Sequence, residues 1–288
     1  METSADLDPP PAGTLVLVGT PLGNRADLSS RARDAILAAD LLLCEDTRSP
    51  SRLLGAQVGL PPRVSCFAGN EASRVERLLA ALGEGKCVVY LSEAGLPVWS
   101  DPGSRLVRAA VAAGYAVDVI PAATAASVAL CLSGFDANGA TFFGFLERSG
   151  RGRARALAQV SRNEGPSLLY EAGNRVPGLL RDLAQFENLS TRPMVVAREL
   201  TKLHQEVRRG SVAELSEQLV EPLRGEVSIV VDGAGPAATG SEEVQVAARR
   251  VLELMLDDSM RPRARARELA ALTGLAANEI YERLSGSR

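Results

Sequence analysis

Residues 86–103 read KCVVYLSEAGLPVWSDPG. Lys86–Leu91 is a charge-poor, β-branched run of the kind found in strands buried on both faces. Asp101, Pro102 and Gly103 open an apolar-periodic segment, Ser104–Ala113. Asp at an N-cap with Pro at the first helical position marks a helix start, because the carboxylate accepts unpaired N–H groups and proline has none to pair. The segment is therefore strand, loop, helix. In open α/β sheets ligands bind beyond the carboxyl ends of the strands, so the loop Leu91–Gly103 is the first candidate site. Asp101 itself reads as a cap before it reads as a catalytic acid.

The same alternation extends outward. Strands are expected at Thr14–Gly19, Leu41–Cys44, Arg63–Phe67 and Ala116–Ile120, with helices between them. The helix after Arg63–Phe67 is expected to start at a capping box of Ser73 and Glu76. Pro121–Ala126 starts a small-residue helix that runs to about Ser133. This pattern implies a parallel-rich sheet with helices on both faces. A second unit begins near Thr141–Phe145. It has strands at Ser167–Tyr170, Met194–Ala197 and Val227–Val231, an extended Glu206–Arg209, and a capping box of Ser211 and Glu214. Arg148–Arg155 reads as a glycine- and arginine-rich loop. The expected organisation is a disordered arm over residues 1–13, one α/β domain over 14–136 and a second over 137–233. A linker over 234–240 leads to a helical extension over 241–288, broken at Arg261-Pro262 and Thr273-Gly274.

The chain has 288 residues, 46% apolar content and a formal net charge of −3, which supports sizeable cores and gives no global nucleic-acid signature. Its cysteines (Cys44, Cys66, Cys87, Cys131) form no C-x-x-C pair and read as free thiols. No metal-ligand spacing occurs, and the lone His204 reads as a solvated edge residue rather than a general base. No stretch reads as a signal peptide or a membrane span, so a cytoplasmic protein is expected. The turn at Gly19–Asn24 is neither G-x-G-x-x-G nor a P-loop.

Four strand ends deliver charged residues: Glu45, Asp46 and Arg48; Glu93 and Asp101; Glu171 and Arg175; Arg198, Glu199 and Lys202. Singly, such pairs are surface ion pairs. Together they suggest a cleft between the two units. Arg198 and Glu199 could lock the cleft wall or meet substrate. Trp99 could anchor the loop or offer a stacking face. Arg148, Arg151, Arg153 and Arg155 form either a solvated loop or a phosphate-binding one.

The stretches TPLGN (20–24), CEDTR (44–48), SEAGLPVWSDPG (92–103), FFGFL (142–146), YEAGNR (170–175), ARELTK (197–202) and GEVSIVVDG (225–233) occur in this order. Together they resemble the small-subunit ribosomal RNA methyltransferase I family of the tetrapyrrole methylase superfamily. The tail RARARELAALTGLAANEIYERLSG (263–286) is similar to that family's helical extension. The resemblance implies two α/β domains with S-adenosylmethionine in the cleft between them, and a homodimer. It also implies methylation of a cytidine ribose 2′-hydroxyl in small-subunit RNA or the 30S subunit. By position it implies cofactor contacts at Leu22, at Glu93, Ala94, Gly95, Leu96 and Val98, and at Thr124, Ala125, Tyr170, Ala197 and Val227. Glu93, Asp46 and Glu199 become candidates for acid or base work. Arg48, Arg198 and Lys202 become candidates for holding phosphate or a developing alkoxide. The arginines of Arg148–Arg155 would dock RNA. Two other readings stand beside this one: a non-catalytic RNA-binding paralogue, and a methylase of a tetrapyrrole or other small molecule.

Overall fold

A computed structural model describes residues 12–55, 59–235, 242–257, 260–273 and 275–285. Residues 1–11 of the expected arm and 236–240 of the expected linker lie outside the described residues. The chain divides into two compact units, one reaching Gly233 and one starting at Ala234.

The first unit opens with a five-stranded sheet of β1 (Thr14–Val18), β2 (Leu41–Cys44), β3 (Arg63–Ser65), β4 (Val88–Leu91) and β5 (Ala116–Ile120). The order is β3-β2-β4-β1-β5 and every pairing is parallel. The connections carry α1 (Ser30–Ala38), α2 (Ser49–Leu54), α3 (Glu71–Gly83) and α4 (Ser104–Ala112), and α5 (Ala125–Ser133) follows β5. Side chains alternate across a strand, so each central strand feeds two cores. Leu15, Leu17, Leu43, Val88 and Tyr90 pack with Leu78 and Leu82 of α3 and Leu106 of α4. Val16, Val18, Leu42, Val89 and Leu91 pack with Ala32 and Ile36 of α1 and Leu54 of α2. Each fully buried Leu, Ile or Val contributes about 1.5–3 kcal/mol, which is why a run without charge becomes the sheet's centre. Cys44 and Cys66 are buried free thiols, whereas Cys131 is exposed.

The second sheet holds β6 (Thr141–Phe145), β7 (Ser167–Ala172), β8 (Pro193–Arg198), β9 (Glu206–Ser211) and β10 (Glu226–Val231), in the order β6-β7-β10-β8-β9. Only β6 and β7 run parallel. The remaining pairings are antiparallel, unlike the first sheet, where the parallel arrangement expected of it holds throughout. The turn from β8 to β9 is too short for a crossover helix, and a short link permits only antiparallel pairing. One face is covered by α6 (Gly150–Arg162), α7 (Val176–Ala184), α8 (Glu187–Ser190) and α9 (Val212–Gln218). The other is met by α5, through Ala129 against Ala197, Leu200 and Val230.

Three local expectations are corrected. Asp101 does not cap α4: Gly103 holds the N-cap position with no side-chain cap of its own. The buried Glu71 of α3 accepts instead from Gly103 N at 3.0 Å and Arg105 N at 2.8 Å. The capping box at Ser73 does not form, because α3 starts earlier, at Glu71, and Ser73 Oγ donates to Asn70 O at 2.8 Å. Most of Arg148–Arg155 is the first part of α6 rather than a loop, because Leu157 and Val160 further along pack into the second core and carry the helix back over this stretch. The capping box at Ser211 and Glu214 is present with both of its hydrogen bonds.

The second unit contains α10 (Glu242–Leu256), α11 (Pro262–Thr273) and α12 (Ala277–Ser285). The expected breaks at Pro262 and after Thr273 are where α11 begins and ends. Arg263 lies over the Tyr281 ring at 5.5 Å, a cation–π contact between α11 and α12.

Candidate functional site

The loop after β4 is tied to the loop after β1. Thr20 N donates to Gly95 O at 2.8 Å and Gly95 N to Thr20 O at 2.9 Å. Gly95 sits at φ +76°, and a Cβ there would lie 3.3 Å from both Ala123 O and Leu22 Cδ2. The position thus needs glycine for its backbone and for the close approach of two neighbouring loops. Further on, Val98 (φ +73°) and Ser100 (φ +63°) flank Trp99. A β-branched residue in the left-handed region is strained and persists only where the surroundings hold it. Here Val98 N donates to Pro102 O at 3.2 Å, and the Trp99 ring stacks on Phe142 at 4.7 Å. Tyr170 meets Phe142 and Phe145 edge-on at 5.0 and 5.5 Å, and its hydroxyl accepts from Ala126 N at 2.9 Å.

A cavity of ≈ 360 Å³ opens between this loop and the second sheet. From the first half of the unit it is lined by Leu22, Glu93, Ala94, Gly95, Leu96, Thr124 and Ala125, with Trp99, Ser100 and Asp101. Tyr170, Glu171, Ala172, Leu200, Gly225, Glu226, Val227 and Ser228 complete the wall, with the exposed Phe145. Of the positions expected to meet a cofactor, only Val98 and Ala197 are not in the wall. Val98 turns to Gly103, where its Cγ2 would be 3.2 Å from an added Cβ, and Ala197 is buried beneath α5.

The carboxylates around the cavity differ in state. Glu93 is held in place: Oε1 accepts from Asp46 N at 3.0 Å, Oε2 accepts from Ser49 Oγ at 2.7 Å, and Arg52 stands 3.8 Å away. Asp46 lies outside the cavity wall, where hydrogen bonds from Arg48 and the charge of Arg52 hold it well below the usual carboxylate range. Asp101 has the opposite environment. Burial, and then the charges of Glu45, Glu226 and Glu93, push it up to about 6. Glu171 is buried, with Oε1 accepting from Ala172 N at 2.9 Å and paired to Arg175 at 3.2 Å, while its Oε2 has no hydrogen-bond partner.

The remaining charged candidates stand behind the wall. Glu199 Oε1 accepts from Glu226 N at 3.0 Å and from Lys202 Nζ at 3.1 Å, and the first of these bonds leads in lowering its pKa. Lys202 also reaches Glu226 at 2.9 Å, and Arg198 pairs with Glu206 at 3.2 Å. The turn bearing Leu22 is linked to the same region, since Asn24 N donates to Thr201 Oγ1 at 3.1 Å. Arg153 is tied to Asp182 at 2.6 Å, whereas Arg148, Arg151 and Arg155 are exposed. His204 is exposed as well. Among the described residues no cluster of His, Cys, Asp and Glu could hold a metal ion, and no helix is long and apolar enough to cross a membrane.

Sequence reasoning underrated Asp101 and missed Phe142, Phe145 and Ser49. Asp101 resembles a helix cap in sequence, and its environment is made by residues from both sheets. Phe145 sits at a strand end, the one signal that could have marked it.

The sequence profile of the Tetrapyrrole (Corrin/Porphyrin) Methylases matches residues 14–216. A ribosomal RNA small subunit methyltransferase I from Mycobacterium tuberculosis is 36% identical over 280 residues, covering 96% of each chain. Its counterpart from Thermotoga maritima is 38% identical over 223 residues, covering 77% of this chain and 99% of its own. Among solved structures, uroporphyrin-III-C-methyltransferase from Thermus thermophilus superposes with a TM-score of 0.55 at 22% identity, covering 77% of this chain and 95% of its own. Cobalt precorrin-4 methyltransferase does so with a TM-score of 0.59 at 15% identity, again covering 77% and 95%. These two likenesses concern the fold.

Proposed function

This chain belongs to the ribosomal RNA small subunit methyltransferase I family of the tetrapyrrole methylases, and from that premise we propose that it moves a methyl group from S-adenosylmethionine to a cytidine ribose 2′-hydroxyl of small-subunit ribosomal RNA. The observation that carries this reading is the cavity at the carboxyl ends of β1 and β4, closed from the other side by the second sheet. The same reading has the chain act in the cytoplasm as a homodimer, on free small-subunit RNA or on the 30S subunit.

The residues present fit the cofactor. Leu22, Ala94, Leu96 and Val227 offer apolar walls, and Gly95 leaves backbone within reach. The unpartnered Glu171 Oε2 suits a hydroxyl or ammonium donor, since a buried acceptor left unpaired costs about 1–3 kcal/mol. Glu93, Asp101, Glu171 and Glu226 make the wall acidic, which favours a cationic ligand. When bound, S-adenosylmethionine supplies an electrophilic methyl group on a positively charged sulfur.

A ribose hydroxyl is a weak nucleophile and gains from a positioned base. Asp101, held at about 6, suits that task near neutral pH and takes the hydroxyl proton on its carboxylate. Glu93 is already engaged by Asp46 N, Ser49 and Arg52, so it orients and provides charge. Glu199 and Lys202 act by fixing Glu226 in the wall, and Arg198 braces the same end of β8 against β9. Alignment of oxygen, methyl and sulfur in one line is the main work, because such orientation supplies much of the rate. Arg148, Arg151 and Arg155 remain available for RNA phosphates, whereas Arg153 is engaged with Asp182.

Titration calorimetry with S-adenosylmethionine tests the reading, followed by mapping of methylation on small-subunit RNA from a strain lacking the gene. Gly95→Val, checked for intact folding by thermal unfolding, is expected to weaken binding tenfold or more (about 1.4 kcal/mol) by pressing on Ala123 and Leu22. No binding by the wild-type chain, with and without RNA, would overturn the enzyme reading in favour of an RNA-binding paralogue.

A further inference from the structure

An open groove of ≈ 880 Å³ beside α2 has no role in the cavity's wall. Arg25, Arg48, Arg52 and Arg63 line it, with Ser51 and Pro62 between them. One carboxylate, Asp46, serves two of these guanidiniums, at 2.9 Å from Arg48 and 3.0 Å from Arg52. Arg63 donates to the neutral Ser51 hydroxyl at 2.8 Å. Among the described residues neither Arg25 nor Arg63 meets a carboxylate. The groove therefore carries a net positive charge on a chain whose formal net charge is −3. Most of the Arg48 side chain (80%) remains exposed beyond its contact with Asp46.

Groove and cavity are linked through α2. Arg52, in the groove, stands 3.8 Å from Glu93, in the cavity, and α2 supplies both Arg52 and the Ser49 hydroxyl that holds Glu93. A strand lying in the groove is thus delivered to the cavity's edge. Arginine's planar fork matches phosphate oxygens in paired hydrogen bonds, and such contacts set register without reading sequence.

We propose that this groove binds the ribose-phosphate backbone of the RNA segment that carries the acceptor nucleotide. The proposal rests on the RNA-methyltransferase reading above. It adds a docking surface on the first sheet's side, distinct from the arginines of α6.

The test is filter binding of the full-length Arg25→Ala/Arg63→Ala double variant to unmethylated 16S RNA, across about 50 to 200 mM salt. Its affinity is expected to fall about tenfold or more, and the slope of log K against log salt to lose about 1–2 contacts' worth. KM for RNA rises while kcat at saturating RNA holds, and S-adenosylmethionine affinity by calorimetry stays at the wild-type value. The Arg105→Ala/Arg108→Ala double variant, which removes the same charge from α4, is expected to bind RNA like the wild type. Unchanged RNA binding by the double variant, beside a wild-type chain that methylates RNA, would overturn the groove and leave the function standing. Equal loss in Arg105→Ala/Arg108→Ala would also overturn it, as an effect of bulk charge. A wild-type chain that binds cofactor and neither binds nor methylates RNA would overturn the underlying reading itself.

Discussion

Asp46 and Asp101 are the same residue type at two strand ends of one sheet, and their surroundings drive them apart. Asp46 accepts from Arg48 and faces Arg52, which favour its charged form. Asp101 is half-buried among Glu45, Glu226 and Glu93, which favour its neutral form and hold it at about 6. Groups poised in this way cluster at functional sites. If Asp101 accepts the hydroxyl proton, kcat/KM should fall as pH drops through about 6. Asp101→Asn should then lose that limb and about 10²–10⁴ of the rate, as measured by methyl incorporation across pH. Stability should move the other way. A carboxyl whose folded pKa is raised above its unfolded value of 3.8 binds its proton more tightly when folded. Its ionisation therefore costs stability, fully above about 6 and not at all below 3.8. Asp101→Asn should accordingly be the more stable protein at pH 8, with the gap closing on acidification. The residue type and its place in the loop were legible in the sequence. The charges of Glu226 and Glu45 around it were not, because they arrive from a different sheet and a different strand.

At the scale of elements, the start of α4 shows how local signals compete with tertiary ones. Asp101-Pro102-Gly103 has the composition of a helix start, yet the N–H groups of Gly103 and Arg105 are taken by Glu71 from α3. Asp101 is thereby released to face the cavity. Glu71 is only 5% exposed, so removing its carboxylate strands two backbone donors, the one on Gly103 buried. Glu71→Ala should cost about 1–3 kcal/mol in urea unfolding and should loosen the segment that bears Trp99. The strands were more legible. β1, β2 and β4 are buried at every position, and an uninterrupted apolar run has few other places to go. The N-terminal half of α6 was not legible. Its arginines read as a loop in isolation, and packing of Leu157 and Val160 into the second core decides for a helix.

For the whole molecule, contacts within the chain up to Gly233 and within the chain from Ala234 form separate compact units. A chain ending at Gly233 should therefore keep its fold and its affinity for S-adenosylmethionine, as read by a ligand-induced shift in melting temperature. Loss of both would mean that the helical unit is part of the cofactor-binding fold. By itself the sequence determined the alternation of buried strands and amphipathic helices, the strand-end loop at 91–103, the breaks in the tail and the family. Those features are local: hydrophobic period, turn chemistry and motif order are written along the chain. Tertiary structure alone decided the mixed pairing of the second sheet, the use of Glu71 as a cap, the raised pKa of Asp101 and the arginine groove beside α2. Each of these depends on groups distant in sequence meeting in space, where the local dielectric and the nearest charge, rather than residue type, set what a side chain does.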